Sequence, residues 1–183
     1  MAESSLDQVA RERPVEVEWK AFELRPSGSP PMDPQYKTRV EQNWPRTMAM
    51  GRQYSVEMRT HRFGINTRPA HEATKFAEAH GTPEQARAYH DALFRAYFQD
   101  DHDIGDPAVL TRIATEVGLD ADALREALEA GAYRQQVLAE ERFAYEAGIS
   151  GVPAFIFEDK YLLVGLHSPE QLASIMDRIE QEA

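Results

Sequence analysis

Gly148-Ile149-Ser150-Gly151-Val152-Pro153-Ala154-Phe155-Ile156-Phe157 is the stretch whose reading decides the fold. Two glycines punctuate a turn, a Val-Pro step follows, and an apolar run leaves it, as when a short strand is entered from a loop. Proline has no N–H to give to a ladder, so at its plainest Val152-Pro153 reads as the entry to an edge strand. Strands are expected at 153–158 and 160–165, with Glu158-Asp159-Lys160 suited to a tight hairpin between them. Ser168-Pro169-Glu170-Gln171 has the spacing of a capping box with proline at the first helical position. The helix it opens places Leu172, Ile175, Met176 and Ile179 on one face. The C-terminal unit is strand, strand, helix.

Upstream, residues 34 to 147 read as helical, and the starts are well marked. Thr82-Pro83-Glu84-Gln85 is a second capping box, while Asp106 before Pro107 and Asp120 supply further N-caps. Gly81, Gly118 and Gly148 sit where helices should stop. Periodic apolar sets follow the starts: Tyr89, Leu93, Phe94 and Tyr97, then Val109, Leu110, Ile113 and Val117, then Leu124 and Leu128. At the N-terminal end, residues 2–12 form a helical pattern with Leu6 and Val9 on one face, broken by Pro14. Val15-Glu16-Val17-Glu18-Trp19-Lys20-Ala21-Phe22 alternates apolar and charged, which predicts a strand with its apolar positions in the core. Arg25-Pro26-Ser27-Gly28-Ser29-Pro30-Pro31 is a loop.

Composition excludes several function classes. The formal charge is −11, from 31 acidic against 20 basic residues. Nucleic acid is therefore a poor partner, since affinity for it rests on Lys and Arg neutralising phosphates; an anionic membrane surface is disfavoured for the same reason. No run of ~18 apolar residues is present to span a bilayer. The first residues, Met1-Ala2-Glu3-Ser4-Ser5-Leu6-Asp7, lack an apolar h-region, and the chain has no cysteine, so a cytoplasmic protein without disulfides is expected. Thiolate metal sites and cysteine nucleophiles are excluded within these 183 residues.

Few side-chain groupings suggest chemistry. Asp100-Asp101-His102-Asp103 matches no calcium-loop spacing and reads as a solvated acidic connection between helices. His61, His71, His80, His90, His102 and His167 include no pair spaced to bind zinc from one helix face. No nucleophile elbow or glycine-rich phosphate loop occurs. Glu140-Glu141 reads as part of a solvated helix face. Asn66 or Thr67 reads as a cap, with Pro69 near the first turn of the helix that follows.

Three stretches carry a family resemblance. Gly148 to Phe155 resembles the cis-proline loop of DsbA-like oxidoreductases, especially the FrnE-type branch. Val17-Glu18-Trp19-Lys20-Ala21-Phe22-Glu23-Leu24-Arg25-Pro26 is similar to that family's second strand, which ends in a like Phe-x-Leu-x-Pro. Asn66-Thr67-Arg68-Pro69-Ala70-His71 resembles an Asn-Thr-x-x-Ala-His signature of FrnE-like and 2-hydroxychromene-2-carboxylate isomerase-like proteins. The resemblance implies an α/β fold: a thioredoxin-like core from residues 1–31 and 148–183, with a helical domain inserted at 32–147 and the first β-strand missing.

It also implies a cis Val152-Pro153 bond, with Gly151, Val152 and Pro153 binding an extended protein thiol or disulfide substrate, and a cleft between that loop and the start of the first helix. In the family a Cys-x-x-Cys motif leads into that helix, where helix dipole and free N–H groups stabilise the thiolate. Met1-Ala2-Glu3-Ser4-Ser5-Leu6 is similar to the continuation of that motif. The reading frame is therefore expected to continue upstream of Met1 into an apolar strand ending in Cys-x-x-Cys. The implied activity is thiol–disulfide exchange without a cofactor. Alternatives are a glutathione-dependent isomerase of the 2-hydroxychromene-2-carboxylate type and a redox-inactive peptide-binding module. The isomerase branch carries a Gly-x-Asp-Arg turn before its last helix, where this chain has Gly165-Leu166-His167-Ser168.

Overall fold

In chain order the elements are α1 (Ala2–Glu12), α2 (Pro34–Gln53), α3 (Arg68–His80), α4 (Pro83–Phe98), α5 (Pro107–Glu116), α6 (Ala121–Ala130), α7 (Arg134–Glu146), β1 (Ala154–Phe157), β2 (Tyr161–Val164) and α8 (Pro169–Glu182). The computed structural model describes residues 1–182 except Ser27, so that residue of the expected 25–31 loop lies outside the described residues.

β1 and β2 pair antiparallel in the register Ala154↔Val164 to Phe157↔Tyr161. Glu158 and Asp159 both adopt left-handed backbone with φ of 51°, and the Lys160 N–H closes the turn on the Phe157 carbonyl at 3.0 Å. Phe155 and Phe157, two residues apart, stack on one face of β1 with ring centroids 6.3 Å apart. They pack with Leu6, Val9, Val15, Leu163, Leu172 and Met176, so the hairpin is held against α1 and α8. In α8 the box forms: the Gln171 N–H reaches Ser168 Oγ at 3.3 Å and the Ser168 N–H reaches Gln171 Oε1 at 2.9 Å.

A second apolar cluster joins α3, α4, α5 and α6. Ala70, Ala73 and Ala77 give α3 a small-residue stripe beside Phe76, which lets its neighbours approach closely. Tyr89, Leu110 and Leu124 are fully buried in this cluster. Each fully buried leucine contributes about 1.5–3 kcal/mol of transfer free energy. The expected caps are present. Thr82 and Gln85 form the reciprocal box, Asp106 accepts from the Ala108 N–H, and Asp120 accepts from those of Asp122 and Ala123. Among the described residues no helix is long and apolar enough to cross a membrane.

One expected element does not form. Residues 15–22 make no ladder, and the two-stranded sheet is the only sheet among the described residues. A strand needs a neighbour to satisfy its N–H and C=O groups, and none lies alongside. The expected core positions also shift. Val17 and Trp19 remain 39% and 37% exposed, whereas Ala21 and Glu23 are buried. Alternation predicts which residues share a face, but it does not say what covers that face.

Candidate functional site

The loop entering β1 has a cis peptide bond between Val152 and Pro153. The Pro153 carbonyl accepts the Gly165 N–H at 2.9 Å, tying the loop to the far end of β2. Gly148 (φ 78°) and Gly165 (φ 97°) occupy the left-handed region that glycine tolerates, and both stand in open space. Val152 is 55% exposed, and among the described residues neither its N–H nor its C=O is paired within the chain. Its backbone is thus presented outward, in the manner that lets one strand edge receive another extended chain.

α1 packs beside the hairpin and α8. Val9 packs toward β1 and α8, while the Ser5 Oγ is buried without a partner. In the first turn, Glu3 meets His90 of α4 at 3.4 Å, and one turn on, Asp7 pairs with Arg87 at 2.6 Å. The His90 ring lies 4.8 Å from Trp19 and 4.6 Å from Phe94. The start of α1 is therefore flanked by a half-exposed aromatic group.

Charged side chains hold residues 19–23 against α3 and α7. The Ala21 N–H donates to Glu140 Oε2 of α7 at 2.6 Å, and Lys75 Nζ of α3 donates to the Trp19 carbonyl at 2.8 Å. Lys75 and Glu140 pair at 3.0 Å, and Arg68 Nε donates to Glu23 Oε1 at 2.5 Å. Along an extended chain, alternate residues turn their N–H and C=O to the same edge. The Trp19 carbonyl is spent on α3 and the Ala21 N–H on α7. The N–H groups of Glu18, Lys20 and Phe22 have no partner among the described residues, so that edge is open. Glu18 and Lys20 form an ion pair, and with Gln136, Ala139, Glu140 and Phe143 they line a shallow depression of about 340 Å³. Burial holds His71 below the ordinary imidazole range, against the opposing pull of Glu23 and Glu140.

The comparisons with known proteins fit this arrangement. A family model described as a DSBA-like thioredoxin domain matches residues 1–177. The chain belongs to the DsbA-like thioredoxin family. It is 34% identical over 171 residues to the uncharacterized Bacillus subtilis (strain 168) protein YwbO, covering 87% of this chain and 80% of YwbO. SCO1869 from Streptomyces coelicolor, described as a probable DsbA oxidoreductase, superposes with a TM-score of 0.84 at 25% identity, over 100% of this chain and 84% of SCO1869. A 2-hydroxychromene-2-carboxylate isomerase shares the fold, with a TM-score of 0.75 at 16% identity over 98% of this chain and 87% of its own. The DsbA-like α/β thioredoxin fold is here mostly helical, with a small two-strand sheet.

Sequence reading and structure part at the charged residues. Glu140 and Glu141 do not form a solvated face: both are buried, Glu141 at 5% exposure. The signal was available in the spacing, because Val137, Glu140, Glu141 and Ala144 fall at i, i+3, i+4 and i+7, the stripe a helix turns inward. The carboxylates ride that stripe because Lys75 and the Ala21 N–H, both far away in sequence, wait for Glu140. Asn66, one residue before the N-cap, accepts the Arg68 N–H at 3.1 Å and so supplies the cap itself. In the acidic connection, Asp101 accepts the Arg62 N–H at 2.6 Å.

Proposed function

We propose that this chain is the larger part of a thiol–disulfide oxidoreductase of the FrnE-type branch. Its reacting Cys-x-x-Cys would lie on a strand upstream of Met1. The observation that carries the reading is the open edge of residues 18–22, in a fold whose sheet has two strands among the described residues. Glu18 and Lys20 are exposed, so their N–H groups meet water; one added strand would take them and the Phe22 N–H into a ladder at once. A thioredoxin-like core from residues 1–31 and 148–183 would then close, with residues 32–147 inserted.

The chemistry follows from that placement. A thiolate ahead of α1 is stabilised by the helix's free N–H groups and positive end. It attacks one sulfur of a substrate disulfide; the new S–S bond forms as the old one breaks, and the other substrate sulfur leaves as thiolate. The second cysteine then displaces the first substrate sulfur, leaving the enzyme oxidised and the substrate reduced. Gly151, Val152 and Pro153 would align the substrate backbone, with Val152 offering its unpaired N–H and C=O. Partners would be protein thiols and disulfides in an extended segment.

An insulin-reduction assay with dithiothreitol tests this. The protein translated from a frame extended upstream of Met1 should reduce insulin, and residues 1–183 should not. Tight glutathione binding by the extended protein without insulin reduction would favour the isomerase reading. An upstream frame without cysteines would leave a redox-inactive module that grips extended peptides.

A further inference from the structure

Glu23 is 1% exposed, and its two carboxyl oxygens meet different fates. Oε1 accepts from Arg68 Nε at 2.5 Å; Oε2 is buried without a partner. Across from it Glu141, on the inward stripe of α7, carries its own orphan oxygen, Oε1. The Glu141 carboxyl stands against both the Glu23 carboxyl and the Glu23 backbone N–H. Two neighbouring buried carboxyl groups, each with an orphan oxygen, are satisfied by one proton, which turns an acceptor into a donor. Two carboxylates there would repel across a poorly hydrated gap, and one arginine cannot neutralise both.

We propose that Glu23 and Glu141 form a carboxyl–carboxylate latch that holds one proton between them and, on losing it, loosens the Trp19–Glu23 segment from α7. The charged surroundings are few. From α3 come Arg68 on Glu23, His71, and Lys75, which is engaged by Glu140 and the Trp19 carbonyl. α7 adds Glu140, whose second oxygen is taken by the Ala21 N–H. Arg134 is bound to Glu72 at 3.3 Å and His90 to Glu3 at 3.4 Å, so both are engaged away from the pair. Burial, then the neighbouring Glu23, pushes the Glu141 carboxyl up to about 7, with Arg68 pulling the other way.

The folded protein therefore holds this proton more tightly than the unfolded chain does. Its contribution is complete below the unfolded value of 4.5 and disappears as pH rises through about 7. The latch is independent of any upstream cysteine, because it joins the open-edged segment to the helical block within residues 1–183.

The test is the pH dependence of thermal unfolding of the 183-residue chain beside its Glu141→Gln variant. Glutamine keeps a donor toward Glu23 but cannot ionise. Between pH 5 and 8 the wild type should lose about 5 °C or more relative to the variant, with the difference flat above the latch's titration. Histidine titrations affect both proteins alike and cancel. Carboxyl ¹³C titration of the wild type provides the second measurement and needs no variant to fold: the Glu141 carboxyl should titrate near 7. Parallel melting curves, or a Glu141 midpoint near 4.5, would overturn the latch.

Discussion

Lys75 is a cation that replaces part of a sheet. Its ammonium reaches the Trp19 carbonyl, Glu140 and Glu78 within 3.0 Å, so all three of its donors are used. Removing it strands Glu140 as a buried, unpaired charge. Lys75→Ala should therefore cost about 3–5 kcal/mol in chemical denaturation, as loss of one partner from a buried pair does. Lys75→Met with Glu140→Gln, which removes both charges and keeps the bulk and an acceptor for the Ala21 N–H, should recover most of that loss. Equal destabilisation in single and double variants would show that the pair does not act as a unit. His71 works in the opposite pH direction from the latch. Its folded value lies below the unfolded 6.5, so its stability contribution is present above 6.5 and is lost as pH falls.

Among the elements, α3 is placed by its smallest side chains. Ala73 and Ala77 are wholly buried where α3 meets its helical neighbours. Ala73→Leu should cost about 1–3 kcal/mol through overpacking, measured by urea denaturation; a neutral result would mean a looser seam than the structure has. Helices of this kind are legible from local signals. Caps such as Thr82, Asp106, Asp120 and Ser168 bond to backbone groups two or three residues away, so short windows of sequence contain both partners. The hairpin was legible for the same reason, since Phe157 and Tyr161 are joined by a turn that names itself. Residues 15–22 were not. Their alternation is real, but strand formation depends on a neighbour that no local pattern supplies. Glu140 was misread for a similar reason: its partners, Lys75 and the Ala21 N–H, lie far earlier in the chain.

On the scale of the molecule, an acidic chain has gathered buried charges around residues 19–23: Arg68 with Glu23, Glu141 beside Glu23, and Lys75 with Glu140. Lys75 and Glu140 hold one edge of the 19–23 segment against the helices, while the Glu18, Lys20 and Phe22 N–H groups have no partner among the described residues. The family placement, the outward Val152 backbone and the small sheet all bear on the same open edge, and the proposed function depends on its being filled. Backbone amide hydrogen exchange tests this most directly, in residues 1–183 and in the upstream-extended protein under identical conditions. In residues 1–183 the Ala21 amide should be protected by Glu140, while those of Glu18, Lys20 and Phe22 exchange freely; in the extended protein these three should become protected. Protection of Glu18, Lys20 and Phe22 already in residues 1–183, or free exchange at all three in the extended protein, would contradict the account.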